Sequence, residues 1–504
     1  MALIPEFESF RQAYDAGKNQ VVYTRLAADL DTPVSLMLKL AQARKDSFML
    51  ESVTGGEIRG RYSVIGLKPD LIWECRGETS RLNRTARFDP DGFQPCTDAP
   101  LTALRALIGE SHIDLPADLP QIAAGLFGYL GYDMIRLVEH LPNVNPDPLG
   151  LPDAIMMRPS VVVVLDGVKG EVTVVSPAWV ESGLPARAAY AQAAERVMDA
   201  VRDLDRAAPN EARNLGDQSD IAPPVSNTSK ADYFAMVEKA RDYIRAGDIF
   251  QVVPSQRWVQ DFHLPPFALY RALRRTNPSP FMFYFNFGGF QVIGASPEIL
   301  VRLKDSEVTV RPIAGTRPRG KTPEEDRALE QDLLADPKER AEHLMLLDLG
   351  RNDAGRVSKI GSVHPTEQFI IERYSHVMHI VSNVVGQIRD DHDALSALLA
   401  GLPAGTVSGA PKVRAMEIID ELESEKRGLY GGGVGYFSAN GDMDICIALR
   451  TAITKDEKLY IQAGGGVVFD SDPEAEYQET INKSKALQQA AKDAGLFVKF
   501  SGQG

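Results

Sequence analysis

Between Phe281 and Ser296 the chain reads FMFYFNF, Gly288-Gly289, FQVIGAS. Two strand-forming runs joined by a pair of glycines make a β-hairpin, because glycine alone takes the positive φ values of a tight turn at no steric cost. Alternation with period two sets Phe281, Phe283, Phe285 and Phe287 on one face of the first strand. Four neighbouring aromatic rings are too much apolar surface to leave in water, so the hairpin belongs to a sheet buried on at least one side. Other runs carry the same signal: RYSVIGL, SVVVVLDG, EVTVRPIAG, HVMHIVSNVVG, YGGGVGYFS, MDICIALRTAI and LYIQAGGGVVF. Helical segments lie between them, including LTALRALIGE, a stretch ending in ERVMDAVRDL, and one that Ser229 caps. In the last, Tyr233, Val237, Ala240 and Ile244 share a face and Gly247 supplies the stop. Many hairpin-spaced strands with a few long helices predict an α+β fold: a large mixed, mainly antiparallel, sandwich-like β-sheet core with helices packed outside. No repeat of 20 to 50 residues is visible.

Residues 203–228, DLDRAAPNEARNLGDQSDIAPPVSNT, are polar, hold three prolines and show no apolar period, so they read as a linker or long surface loop. The expected division is an N-terminal region over 1–202 and a second domain over 229–504, in keeping with a length of 504 residues. With 55 Lys and Arg against 69 Asp and Glu the net charge is −14, which argues against nucleic acid or an anionic membrane as the main partner. Cys75, Cys96 and Cys446 lie far apart with no CxxC pair. That excludes a disulfide framework and a zinc ribbon and suits a reducing compartment. The opening MALIPEFESFRQAYDAGKN has no apolar run of seven, and no window approaches eighteen uncharged apolar residues. The expectation is a cytoplasmic protein without signal peptide or membrane span.

In DPKERAEHLMLLDLGRND, Asp336 as N-cap, Pro337 at the first helical position and Glu339 three residues after the cap mark a helix start. Glu342 then falls on the stripe of Met345, Leu346 and Leu349. A carboxylate there is costly unless a metal or a cationic partner compensates it, or unless it sits at the stripe's edge and reaches water; spacing leaves both readings open. A second helix starts alike at Asp472-Pro473, with Glu474, Glu476 and Glu479 in its first two turns. Two acidic helices facing one pocket suit Mg²⁺, whereas Glu479 four residues before Lys483 also suits an exposed helical ion pair. Glycine-rich turns at 403–412, 431–435 and 463–468 either bring backbone N–H groups close to an anion or permit tight strand packing. The 403–412 turn is not a P-loop, since the spacing to Lys412 is wrong and Pro411 removes a donor. Arg450, Arg317 and Arg319 are candidates to pair with substrate carboxylates, against the commoner surface role. Alternation sends His376 and His379 to opposite faces, so one pocket takes at most one of them.

Taken together, PSPFMF, GASPE, PIAGT, EHLMLLDLGRND, PAGTVSGAPK, YGGGVGYF, IALRTA, AGGGVV and DPEAEYQETINK closely resemble the large subunits of anthranilate synthases, within the chorismate-utilising enzymes. The match is dense from Lys230 to Ala490 and thinner before it, mainly LES at 50–52 and GRYSVIG at 60–66. The resemblance implies Mg²⁺ on Glu342 and Glu479, with Glu339 and Glu476 as outer, water-mediated ligands. It implies that Gly315, Thr316, Tyr430, Arg450, Gly464, Gly465 and Gly466 orient chorismate, that Glu298 is the general acid, and that His379 and Thr406 lie near that end of the ring. Ala314 and Gln251 stand where related branches carry a nucleophilic or basic lysine, which points to ammonia adding directly to the ring. Within the family this favours anthranilate synthesis over aminodeoxychorismate synthesis. A non-catalytic, amino-acid-binding protein on the same scaffold should have lost Glu298 or the metal carboxylates, and both are present. The implied inhibitor is L-tryptophan, held by Ser52 and by Pro280, Phe281 and Met282. No cysteine sits in a GxCxG elbow, so the implied ammonia source is a separate glutamine amidotransferase subunit in a heterotetramer.

Overall fold

A computed structural model describes residues 2–41, 44–53, 60–207, 222–374 and 377–498. His376 and positions 208–221 of the segment read as a linker lie outside these. Two long strands, Tyr62–Arg76 and Ala154–Asp166, organise the rest. They pair antiparallel along their length, and the register slips between Pro69 and Leu71, where Pro69 faces Pro159. Neither proline has an N–H to give the ladder, so the pairing is interrupted there, and each long strand serves both wings of one continuous sheet.

On one side of the interruption the sheet runs through Gln20–Ala27, Glu171–Ala178, the long pair, Ser47–Glu51, Phe281–Asn286, Phe290–Ser296, Thr451–Lys455, Lys458–Gly464 and Ser255–Asp261. On the other it runs through Thr79–Asn83, the long pair, Gly125–Leu130, Gly433–Ser438, Met443–Ile447, Ile299–Lys304, Glu307–Val310 and Val377–Gln387. Val377–Gln387 also pairs with Ile313–Pro318 and His364–Arg373. Every pairing among the described residues is antiparallel. Phe48 stacks on Phe127 of the second wing at 4.5 Å and on Phe285 of the first at 5.3 Å, so the wings face each other across an aromatic core.

The outer faces are covered by helices. Pro33–Leu40, Ala186–Leu204, Pro266–Thr276 and Pro473–Asp493 pack on the first wing; Pro100–Glu110 and Ala394–Gly401 pack on the second. This is the expected α+β sandwich. The hairpin that opened the argument is buried on both faces: Phe283 and Phe285 point into the aromatic core, and Met282 and Tyr284 into the helix-covered one. Chain segments from either side of 203–228 are neighbours in both wings, Phe281–Asn286 beside Ser47–Glu51 and Gly433–Ser438 beside Gly125–Leu130. Helix starts follow the capping signals: Ser229 Oγ accepts from Asp232 N, Asp336 from Lys338 N and Glu339 N, and Asp472 from Ala475 N. Among the described residues no helix is long and apolar enough to cross a membrane.

Candidate active site

Glu298 ends the loop after Phe290–Ser296, where its N–H reaches Ser296 Oγ (3.4 Å) and its carbonyl accepts from Ile447 N (3.0 Å). The side chain is buried, 6 % exposed, and Thr406 Oγ1 donates to its Oε1 at 3.1 Å. Burial lifts its pKa to about 8, against the opposing pull of the Thr406 hydroxyl, the Ile313 N–H and the Lys483 charge. At neutral pH this carboxyl keeps its proton.

His379 lies on Val377–Gln387 opposite Thr316. Its Nδ1 is 2.9 Å from Gly315 O and 3.1 Å from Thr316 Oγ1. A carbonyl oxygen only accepts, so Nδ1 carries the proton and Nε2 keeps its lone pair. Burial, partly offset by that bond, lowers the imidazole to about 4, so it is neutral at pH 7. Gly315, with φ +71°, forms the bulge that turns its carbonyl to the ring.

The two acidic helices do face one another. On Pro337–Gly355 the fully buried side is His343, Leu346, Leu347 and Gly350, and Glu342 stands half-buried at its edge. It meets other carboxyl groups there rather than open water. Burial raises its pKa first, then the Glu339 and Glu479 charges, and Gln251 Nε2 donates to Oε1 at a long 3.4 Å. Glu476 is raised by burial to about 7; its Oε1 accepts from Ser471 Oγ (2.7 Å) and its buried Oε2 has no partner. The raised carboxyls of Glu342 and Glu476 and an orphaned oxygen fit a hard cation that takes oxygen ligands. Among the described residues no three side chains form a ready-made metal cage, so such an ion would depend on water and ligand oxygens for the rest of its shell.

Glu479 makes the ion pair that its spacing allowed, 2.7 Å to Lys483 Nζ, but the pair is no isolated surface contact. Lys483 Nζ also donates to Gly464 O at 3.0 Å, and its charge acts on Glu298, Glu342, His379, Tyr430 and Glu476. It is the cation around which the site gathers, where spacing along the helix shows only a partner for Glu479. The signal was present: Glu476, Glu479 and Lys483 recur at three and four residues on one helical face.

Arg450 has φ +49°, and burial depresses its pKa; among the described residues no carboxylate pairs with it. A half-buried guanidinium with no carboxylate partner, in a strained backbone position, suits an anion. Arg317 and Arg319 are occupied instead, Arg317 by Asp332, Asp336 and Glu339 and Arg319 by Asp326. Tyr430, kept protonated by burial, bonds the Gly464 backbone, and Gly465 N donates to Pro254 O at 3.1 Å. Gly466 makes room for Gln251, whose Nε2 lies 2.6 Å from where a Cβ would stand.

Ser52 follows the end of Ser47–Glu51, where Glu51 faces Met282 across the strand pair and Val53 N donates to Ser279 O at 3.2 Å. Ser52 therefore adjoins Pro280, Phe281 and Met282. The neighbouring Glu51, which the motif reading passed over, is clamped by Arg274 (2.6 Å) and Tyr270 OH (2.8 Å).

Comparison with known proteins adds three findings. The family model described as chorismate binding enzyme matches residues 66–489. The chain is 78 % identical over 498 residues, 99 % of both chains, to anthranilate synthase component 1 of Cereibacter sphaeroides, and 49 % identical to that of Pseudomonas putida over 96 % of this chain and 97 % of the relative. The crystal structure of anthranilate synthase component I from Streptococcus pneumoniae TIGR4 superposes with a TM-score of 0.74 at 41 % identity, covering 85 % of this chain and 92 % of the other.

Proposed function

The chain belongs to the chorismate-binding enzymes, in the branch of anthranilate synthase component 1, and from that premise we propose that it adds ammonia to chorismate and releases anthranilate and pyruvate. The observation that carries this reading is Glu298, a buried carboxyl that holds its proton at neutral pH while hydrogen-bonded by Thr406. Ammonia bonds to C2 of the ring, the double bonds shift, and the C4–O bond breaks. The Glu298 proton leaves with that oxygen as water. The nitrogen then gives its extra proton to solvent. In the second half the C2–H and C3–O bonds break, the ring becomes aromatic, and the released enolate takes one proton at carbon to become pyruvate. Neutral His379, with Nε2 free to accept, is the base for the C2 proton. Arg450 and Lys483 supply the positive charge that holds the substrate's carboxylates, beside Tyr430, Thr316 and the Gly464–Gly466 turn. Glu342 and Glu479 would hold Mg²⁺, which supplies further positive charge for a ring carboxylate.

Ammonia must come from elsewhere, because this chain has no activated thiol. Cys75 and Cys446 are buried, and burial drives the Cys75 thiol up to about 12, far from a reactive thiolate. A glutamine amidotransferase subunit, in a heterotetramer, is the proposed supplier, and the relatives' designation as component 1 supports a partner. The proposed setting is the first committed step of tryptophan biosynthesis in the cytoplasm, with tryptophan as feedback inhibitor. The test is direct. The isolated chain with chorismate, Mg²⁺ and ammonium should yield anthranilate fluorescence and equimolar pyruvate, and glutamine should not replace ammonium until the partner is added. No anthranilate with ammonium overturns the reaction; turnover of glutamine by the pure chain overturns the two-subunit assignment.

A further inference from the structure

A buried charge that has no role assigned above borders the candidate active site through Tyr430. Arg427 is 3 % exposed. Its Nε and Nη2 grip the Glu423 carboxylate (2.6 to 3.2 Å), Nη1 donates to Val407 O at 2.6 Å, and Nη2 donates to Val253 O at 2.5 Å. The guanidinium also stacks against the Tyr132 and Tyr430 rings, 4.9 and 5.5 Å from their centroids. Three of these contacts lie at or beside a site group. Val407 follows Thr406, the donor to Glu298. Val253 is two residues after Gln251, and the O of the next residue, Pro254, holds Gly465 N. Tyr430 follows Arg427 by three residues, and its N–H bonds Arg427 O at 3.3 Å. Glu423 completes the joint by accepting from Ser255 N and Oγ, both at 2.8 Å.

A core arginine that served stability alone would need only its carboxylate, and a buried ion pair is weak evidence of stabilisation in any case. Here the planar fork is spent on two carbonyls from segments more than 150 residues apart in sequence. We infer that Arg427 is a positioning residue: it locks the Thr406 turn, the Gln251 segment and Tyr430 into one frame, and so sets the hydrogen bond that Thr406 makes to the proton-donating carboxyl of Glu298. Lysine cannot substitute, because an ammonium has three donors on one nitrogen and cannot span a carboxylate and two divergent carbonyls at once. This inference rests on the reaction proposed above for its importance to turnover, but not for its geometry.

The charged groups around Glu298 are Lys483 on the C-terminal helix and, lining the same small cavity, Arg311 and Asp353. None of them bonds Arg427, so an effect of Arg427 on the Glu298 proton must pass through Thr406. Loss of the Thr406 hydroxyl bond disfavours the ionised carboxylate, so Glu298 should ionise at higher pH. The experiment follows the carboxyl stretch that disappears in Glu298→Gln, by infrared difference spectroscopy of the ligand-free protein across pH, beside the pH profile of ammonium-dependent kcat. In Arg427→Lys the Glu298 titration should move up by about half a pH unit or more, as in Thr406→Val, and the alkaline limb of kcat should move with it. The double variant should move no further than Thr406→Val alone. Should Arg427→Lys not fold, Arg427→Met with Glu423→Leu removes both charges together and is put to the same measurement. A folded variant whose Glu298 titrates as in the parent overturns the inference, whatever its Tm. A parent that makes no anthranilate overturns the proposed reaction instead, and the infrared titration still decides the role of Arg427.

Discussion

At the scale of single residues, the proposed chemistry rests on a carboxyl group kept from ionising by its surroundings. That group is Glu298. Its proton is retained up to about pH 8 where a free side chain would lose it near 4.5. The folded state therefore holds a proton that the unfolded chain has lost, and this contribution to stability is full below pH 4.5 and gone once pH passes 8. Glu298→Gln should cost on the order of 10² to 10⁴ in kcat, because a general acid is removed. The same substitution should raise stability at pH 9 by up to about 5 kcal/mol, since the amide escapes the burial of a charge. Rate assays and urea denaturation at pH 6 and pH 9 check both; a variant less stable than the parent at pH 9 contradicts the account. The proposed Mg²⁺ ligands are open to the same kind of test. Glu342→Gln or Glu479→Gln should abolish turnover and remove any Mg²⁺-dependent rise in Tm, while the metal-free protein loses little or no stability because mutual repulsion is relieved. A Tm that still climbs with Mg²⁺ in either variant removes that residue from the ligand set.

At the scale of elements, close approach decides what the strands tolerate. The Phe48 ring, which stacks between the two wings, lies 2.1 Å from where a Cβ at Gly66 on the neighbouring strand would stand, and Phe283 lies as close to Gly294. Gly66→Ala must push the Phe48 ring from its stack, an overpacking that should cost about 1–3 kcal/mol. Urea midpoints measure it, and Gly66→Ala combined with Phe48→Leu should recover part of the loss. The helix boundaries were legible because caps are local: Asp336-Pro337 and Asp472-Pro473 start the two acidic helices where their sequences say. The interruption at Pro69 was not, since two prolines 90 residues apart become a joint only when their strands pair.

At the scale of the whole molecule, the strands that carry the candidate inhibitor residues also carry the acid. Ser52 adjoins Phe281, Phe281 faces Ser296 across the hairpin, and Ser296 Oγ accepts from the Glu298 N–H. A ligand that favours one setting of Ser47–Glu51 against Phe281–Asn286 is thus a single cross-strand pair from the loop that carries Glu298. Its effect equals its differential affinity for the two settings and requires no contact with chorismate. Ser52→Arg should relieve tryptophan inhibition while turnover without tryptophan stays near the parent's. Dose–response curves on both proteins decide this; an unchanged inhibition midpoint removes Ser52 from the pocket, and a parent indifferent to millimolar tryptophan removes the pocket.

The sequence by itself determined the class of fold, through Phe281, Phe283 and Phe285 at period two and through the caps, since periodicity and capping act between near neighbours along the chain. It also marked Glu342 as a carboxylate in a costly place, because helical geometry alone puts it beside Leu346. What those groups meet was settled only in three dimensions. Spacing leaves Glu479 and Lys483 as an ordinary helical pair; the packing of Pro473–Asp493 against the first wing turns that pair into the charge at the centre of the site. Arg317 and Arg450 are equivalent on paper, yet the first is saturated by three acids and the second is half-buried with none among the described residues. Charge compensation and desolvation depend on neighbours distant in sequence, and only the closed sandwich brings those neighbours within reach.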